Sequence, residues 1–84
     1  MNDNLSYVLR GCVLMELGMR GRIRLGKATL QRRNLADRLV QVVNTEPTGE
    51  GLLDETLKLL QQEEHSVGTW IDLLSGKALL NSNL

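Results

Sequence analysis

The sequence predicts a mainly α fold of about three helices, with a short basic β-hairpin between the first and the second. Leucine supplies 18 of the 84 residues, phenylalanine is absent, and the chain has one tyrosine, Tyr7, and one tryptophan, Trp70. Apolar residues near the start recur on more than one side of a helix, and two later runs alternate polar with apolar residues as strands do. A helix that is apolar nearly all round needs protein on every side. This helix is therefore predicted to be the centre of a larger helical domain.

The first helix follows Asn2, Asp3 and Asn4, whose side-chain oxygens can cap its start, and Gly21 is placed to end it. Its apolar positions cover more than half of the circumference of a helical wheel: Leu5, Val8, Leu9, Cys12, Val13, Met15, Leu17 and Met19. Without its usual neighbours such a helix leaves more than roughly a few hundred Å² of apolar surface uncovered, which predicts self-association.

Two pairs of residues within this helix carry further predictions. Glu16 and Arg20 are four residues apart and can form an ion pair, and Glu16 is expected to be buried among the apolar positions. Gly11 and Gly18 lie seven residues apart on the opposite side. Each glycine costs about 1 kcal/mol in helix propensity, which predicts that another element packs close to the backbone there.

Residues 22–25 and 39–43 are predicted as short strands that can pair as an antiparallel hairpin. The basic segment 26–38 between them is either a solvated loop or a connector that holds a helical turn. Residues 44–51, with the only proline at Pro47, separate this part from the next helix.

Helical spacing predicts two further helices. The second carries Leu52, Leu53, Thr56, Leu57 and Leu60, ends near Gln62, and pairs Asp54 with Lys58. The third is short, with Ser66 as its N-cap and Gly76 as its stop. Its apolar residues lie on one face: Val67, Trp70, Ile71 and Leu74.

Charge is divided unevenly along the chain. Residues 1–42 carry eight basic and three acidic side chains, a net +5, and residues 43–84 carry two basic and seven acidic side chains, a net −5. This asymmetry indicates either an anionic partner for the first half or attraction between the halves.

The basic cluster is the main candidate for phosphate binding: Arg20, Arg22, Arg24, Lys27, Arg32 and Arg33. Strand alternation is expected to aim Arg22 and Arg24 to one side, although a solvated strand face explains the same pattern.

Catalytic and metal-binding patterns are scarce in the sequence. His65 is the only histidine and is expected to be structural or exposed, because no second metal ligand stands at a suitable spacing. Cys12 is the only cysteine and is expected to be buried and unreactive. We therefore predict a protein that is not an enzyme and needs no cofactor. No signal peptide and no apolar run of about 20 residues is visible in the sequence.

Several short motifs occur in an order that resembles the Golgi phosphoprotein 3 family, and most closely its fungal members. They are RGC at 10–12, EL at 16–17, RGRI at 20–23, PTGE at 47–50, LLDETL at 52–57 and WIDLLSG at 70–76. The resemblance implies that residues 1–76 are a partial domain of this family, the N-terminal piece of a larger helical domain, and that residues 77–84 are a divergent tail.

The resemblance implies a peripheral protein that binds phosphatidylinositol 4-phosphate on the cytosolic face of Golgi membranes. Members of the family are adaptors that retain glycosyltransferases by recognising their cytosolic tails and linking them to coatomer. Arg10 matches the arginine of the family's Leu-Arg-Gly motif in the lipid pocket, whereas Met1 stands where the family has a tryptophan. Two further arginines of that pocket belong to a helix beyond the matched region, so lipid affinity is expected to be reduced. A chain that loses lipid binding altogether would be cytosolic.

Two alternatives from other classes remain open. A helix followed by a basic hairpin and further helices can also form a small nucleic-acid-binding module, whose affinity would fall steeply with salt. The third hypothesis is a helical segment that self-associates through its leucine-rich faces and has no ligand.

Overall fold

The computed structural model describes residues 6–74. Its elements are α1 (Tyr7–Met19), β1 (Ile23–Leu25), a 3-10 turn (Leu35–Asp37), β2 (Val40–Val42), α2 (Gly51–Gln62) and α3 (Val67–Leu73). The predicted three helices, and the hairpin between the first and the second, are confirmed. The predicted stop at Gly76 and the tail 77–84 lie outside the described residues.

Helix α1 has defined caps at both ends. The Ser6 side chain accepts a hydrogen bond from the Leu9 backbone N–H at 3.1 Å, so the prediction of an N-cap at residues 2–4 was wrong and Ser6 fills that position. At the other end Gly21 adopts a positive φ of 74°. The backbone N–H of Arg22 donates to the carbonyl of Leu17 at 2.9 Å, which completes a Schellman motif and confirms Gly21 as the helix stop.

The hairpin pairs β1 with β2 in antiparallel register, with Ile23 opposite Val42 and Leu25 opposite Val40. Both strands are shorter than the predicted runs. The connector between them holds the 3-10 turn, which matches the prediction of a helical turn in this segment. The backbone N–H of Val40 donates to the carbonyl of His65 at 3.0 Å, and this bond fixes the start of β2 to the segment that precedes α3.

The core lies where α1, the hairpin, α2 and α3 meet. Its buried apolar residues are Val13, Leu14, Leu17, Ile23, Val40, Leu53, Leu57, Leu60, Trp70 and Leu74. Ser66 caps α3 as predicted, since its hydroxyl accepts a hydrogen bond from the Thr69 backbone N–H at 3.2 Å. The predicted inner faces of α2 and α3 are confirmed, because the residues that define them are buried or packed against this core.

The opposite side of α1 is largely uncovered within the described residues. We call it the open face of α1, and its members carry no charge: Tyr7, Val8, Gly11, Cys12, Met15, Gly18 and Met19. Val8, Met15 and Met19 are 77%, 66% and 74% exposed. A Cβ built on Gly11 or Gly18 meets no atom within 4 Å in the described part of the chain. The expected element next to these glycines is therefore absent from residues 6–74.

Candidate functional site

Arg10, the residue that matched the lipid-binding motif, lies one turn into α1 and points to the inner side of the helix. It is only 5% exposed. Its Nη1 donates a hydrogen bond to the backbone carbonyl of Ile71 in α3 at 2.6 Å. The Tyr7 ring, three residues earlier on the helix, lies 4.6 Å from the guanidinium carbon, a cation–π distance.

The hydrogen bonds of Arg10 are incomplete. Its Nε is buried and has no hydrogen-bond partner among residues 6–74. A buried guanidinium left partly unpaired is costly, and its five N–H donors fit the oxygens of a phosphate. The site can thus offer donors to an anion, and its aromatic neighbour Tyr7 lies on the exposed end of α1.

Most of the basic cluster is engaged within the chain. Arg22 donates to three backbone carbonyls, those of Arg20, Glu46 and Pro47, at 2.7–3.1 Å. Arg24 donates instead to the side chain of Gln41 at 3.2 Å. Both side chains are therefore engaged in hydrogen bonds within the chain, because the loop after β2 supplies carbonyl acceptors to Arg22 and the opposite strand supplies Gln41 to Arg24.

The remaining cations of this region divide into two groups. Arg32 donates to the carbonyl of Asp37 at 2.8 Å, and Arg38 donates to the carbonyl of Gly26 at 2.9 Å. Lys27 and Arg33 are exposed and make no hydrogen bond or salt bridge within residues 6–74. The hairpin region therefore does not gather its charges into a single phosphate site.

The predicted ion pair in α1 is confirmed. The Arg20 Nε lies 2.7 Å from the Glu16 Oε2, and the Arg20 Nη2 lies 3.8 Å from the Glu50 Oε1. The hydrogen bond to Glu16, with the nearby carboxylate charges, raises the pKa of Arg20 above its ordinary value. The expectation of a buried Glu16 was wrong, since its side chain is 39% exposed.

Asp54 has a role that the sequence reasoning missed. Its carboxylate accepts hydrogen bonds from the Thr48 backbone N–H at 2.6 Å, the Thr48 hydroxyl at 2.8 Å and the Gly49 N–H at 3.1 Å. These bonds, led by the one from the Thr48 N–H, lower the pKa of Asp54. The predicted pair of Asp54 with Lys58 was wrong, because Lys58 pairs with Glu55 at 3.3 Å. An aspartate six residues after the threonine of a Pro-Thr-Gly turn is a signal that could have indicated these hydrogen bonds.

The two residues with reactive side chains behave differently from each other. Cys12 is exposed, so the prediction of a buried thiol was wrong. His65 is structural, in line with expectation: its Nε2 lies 2.8 Å from the Glu63 carboxylate. Its ring also packs edge-on against Trp70 with centroids 5.0 Å apart.

Metal and membrane features were also sought. Within residues 6–74 no group of three His, Cys, Asp or Glu side chains is arranged to hold a metal ion. In the same part of the chain, no helix has both the length and the apolarity needed to cross a bilayer.

Comparisons with known proteins agree on one family. A family model described as Golgi phosphoprotein 3 (GPP34) matches residues 1–82. The vacuolar protein sorting-associated protein 74 of Schizosaccharomyces pombe is 51% identical over 78 residues, which cover 90% of this chain and 23% of that relative. The protein of the same name from Eremothecium gossypii is 47% identical over 79 residues, covering 92% of this chain and 24% of the relative. The chain thus spans about a quarter of the length of these curated relatives.

Proposed function

This chain belongs to the Golgi phosphoprotein 3 family, and from that premise we propose that it carries part of a phosphatidylinositol 4-phosphate site of a peripheral Golgi adaptor. The family description refers to the Golgi, and the relatives' names refer to vacuolar protein sorting. Together they support a Golgi-associated function. The finer statement, recognition of a phosphoinositide by Arg10, is our proposal.

The observation that carries the proposal is the environment of Arg10. The Arg10 guanidinium is 5% exposed, and its Nε has no hydrogen-bond partner among residues 6–74, so one of its N–H donors is still to be satisfied. A headgroup phosphate is a suitable acceptor, because charge-assisted hydrogen bonds to phosphate are short and strong. The Tyr7 ring contacts the Arg10 guanidinium from one side and the Ile71 carbonyl accepts its hydrogen bond on another. The Arg10 side chain is therefore already ordered, and binding an anion costs it little conformational entropy.

The adaptor role follows from the same premise. We expect the protein to act on the cytosolic face of the Golgi, where it would help to retain glycosyltransferases by contacting their cytosolic tails and coatomer. Because the chain spans about a quarter of its relatives, we propose that it contributes to this activity as one portion of the family domain.

Vesicle co-sedimentation tests the lipid proposal directly. We would compare vesicles containing phosphatidylinositol 4-phosphate with phosphatidylserine vesicles of equal charge and with neutral vesicles. The wild-type chain should bind the phosphoinositide vesicles best. Loss of one charged hydrogen bond costs about 1.5–3 kcal/mol, roughly a 10- to 100-fold loss of affinity, so Arg10→Ala should abolish the preference.

Two further variants separate the site from general charge. Arg10→Lys keeps the charge and removes the fork of donors, so it should bind like Arg10→Ala. Arg33→Ala removes an exposed arginine with no partner within residues 6–74 and should keep the preference, with circular dichroism confirming that every variant is folded. Equal binding of the wild-type chain to the two anionic vesicles would contradict the proposal.

The hydrogen bonds of the basic residues weigh against the nucleic-acid alternative. A phosphate backbone is bound by cations that are free to reach it, whereas Arg22, Arg32 and Arg38 donate to backbone carbonyls of the chain itself. We expect no shift of duplex DNA by this protein at low salt, and a clear shift would restore that alternative.

A further inference from the structure

The connector between the two strands of the hairpin carries an exposed leucine among cations. We call residues 27–33 the basic loop, which holds Lys27, Arg32 and Arg33 and no acidic residue. Leu30, in the middle of this loop, is 85% exposed. Single exposed leucines are common on protein surfaces, so this exposure matters only together with the shape and the charge of the loop.

The backbone of the basic loop holds it in a defined conformation. The N–H of Thr29 donates to the carbonyl of Arg32 at 3.2 Å, and the N–H of Arg32 donates to the carbonyl of Thr29 at 3.1 Å. The two residues between them, of which Leu30 is the first, therefore form the tip of a tight turn. At the base of the loop, Arg38 donates to the carbonyl of Gly26 at 2.9 Å. Leu30 thus projects from a turn that needs little further ordering when it binds.

Cations stand on both sides of this tip. Lys27 precedes the turn and Arg33 follows it, and both are exposed without a hydrogen bond or salt bridge within residues 6–74. Arg32 is half-buried, and its Nη1 donates to the carbonyl of Asp37 at 2.8 Å. The tip therefore combines an apolar side chain at its end with positive charges that are free to meet an anion on either side.

We infer that the basic loop is a contact site for an anionic membrane surface, where Leu30 enters the interfacial layer while Lys27 and Arg33 lie against lipid phosphates. Burial of an apolar side chain and attraction of cations to anionic lipids add together at such a surface. One convex tip is too small for a stable protein interface, which buries roughly 800 Å² on each partner. A nucleic-acid backbone would satisfy the cations but offers no apolar layer to Leu30.

This inference rests on the proposed peripheral membrane function and adds a contact that differs from the Arg10 site. Arg10 is buried and would select one headgroup. Lys27 and Arg33 are exposed and attract any anionic lipid by charge. The loop should therefore contribute affinity for every anionic membrane, whereas Arg10 should contribute the preference among them.

Vesicle co-sedimentation of loop variants tests the inference. The wild-type chain should bind phosphatidylserine vesicles better than neutral phosphatidylcholine vesicles. Leu30→Ser should weaken binding to phosphatidylserine vesicles by roughly tenfold through lost apolar burial, and Lys27→Gln should weaken it by about fivefold. Both variants should weaken binding to phosphatidylinositol 4-phosphate vesicles by the same factors, which leaves the preference unchanged. Arg33→Ala should likewise weaken binding to both anionic vesicles and keep the preference.

Two matched controls separate the loop from general apolarity and charge. Val43 is 51% exposed and follows β2 at the end of the hairpin opposite to the basic loop, so Val43→Ser should bind as wild type does. The side chain of Lys58 in α2 is 68% exposed, and Lys58→Gln changes the net charge as much as Lys27→Gln does. It should weaken binding much less, because Lys58 lies outside the loop. Circular dichroism would confirm that each variant is folded.

A tryptophan at the tip reports insertion directly. The fluorescence of Leu30→Trp should be quenched by phosphatidylserine vesicles whose lipids carry bromine on their acyl chains. The wild-type chain is the control, because its Trp70 is 4% exposed in the core and should not be quenched.

Three results would overturn the inference. The first is equal binding of the wild-type chain to phosphatidylserine and neutral vesicles. The second is unchanged binding of Leu30→Ser and Lys27→Gln, or an unquenched Leu30→Trp on bound vesicles. The third is an equal loss for Lys27→Gln and Lys58→Gln, which would make net charge the cause. Losses confined to the loop variants would support the inference even if Arg10→Ala left lipid preference unchanged, a result that would count against the Arg10 proposal alone.

Discussion

The two sides of α1 carry similar side chains and have different surroundings. On the inner side, Leu14 and Leu17 are 7% and 0% exposed and pack against the core. On the open face, Val8 and Met15 are 77% and 66% exposed. Hydropathy alone does not distinguish the two sides, because both are apolar. What distinguishes them is whether another element of the described chain lies against them.

This difference shows which apolar side chains of α1 stabilise the fold by being removed from water. Apolar side chains stabilise a fold in proportion to the area that is removed from water. The inner residues of α1 make that contribution within the chain itself, whereas the exposed residues of the open face do not make it among residues 6–74. The same helix thus serves as a core element and as an unsatisfied surface.

The largest expected effect comes from truncating one leucine on the inner side. Leu17→Ala removes a side chain that is fully buried and should lower the free energy of unfolding by about 2–5 kcal/mol. Met15→Ala, on the open face, should change it by less than about 0.5 kcal/mol. Urea unfolding followed by Trp70 fluorescence measures both, and similar losses for the two variants would show that the open face is already covered in solution.

Much of the fold could be predicted because local chemistry determines it. Gly21 ends α1 since the left-handed conformation favours glycine, and Ser66 caps α3 through a hydroxyl that accepts a backbone hydrogen bond. The hairpin followed from alternation of polar and apolar residues in two short runs. Each of these signals lies within a few residues of the feature that it predicts.

The errors arose where a residue depends on a distant neighbour. Periodicity identified Cys12 as apolar but could not show which side of α1 would meet α2 and α3. Arg22 is held by carbonyls more than twenty residues away, at Glu46 and Pro47. The candidate site shows the same limit, since the motif indicated Arg10 while its contact with the Ile71 carbonyl across 61 residues required the structure.

A pair of glycine substitutions gives a smaller effect of opposite sign. Gly18→Ala on the open face adds a Cβ that meets nothing within 4 Å in the described chain and should raise the free energy of unfolding by about 0.5–1 kcal/mol. Gly68→Ala in α3 places its Cβ 3.2 Å from the Ala36 carbonyl oxygen, so strain offsets the gain. Thermal unfolding should rank Gly18→Ala above wild type and Gly68→Ala below Gly18→Ala. The reverse order would mean that a neighbouring element already crowds Gly18.

The smallest effect concerns the turn that positions α2 against the inner side of α1. Hydrogen bonds from Thr48 and Gly49 lower the pKa of Asp54, so the ionised carboxylate stabilises the folded state above the ordinary aspartate pKa of about 3.9. That contribution is lost as the pH falls from this value through the lower pKa of the folded state. Asp54→Asn should therefore lower the urea midpoint at neutral pH, and its difference from wild type should shrink below about pH 4. Asp72→Asn, an exposed site in α3, serves as the control. A difference between Asp54→Asn and wild type that stays constant down to pH 2 would show that the contribution of Asp54 to stability does not depend on ionisation of its carboxyl group.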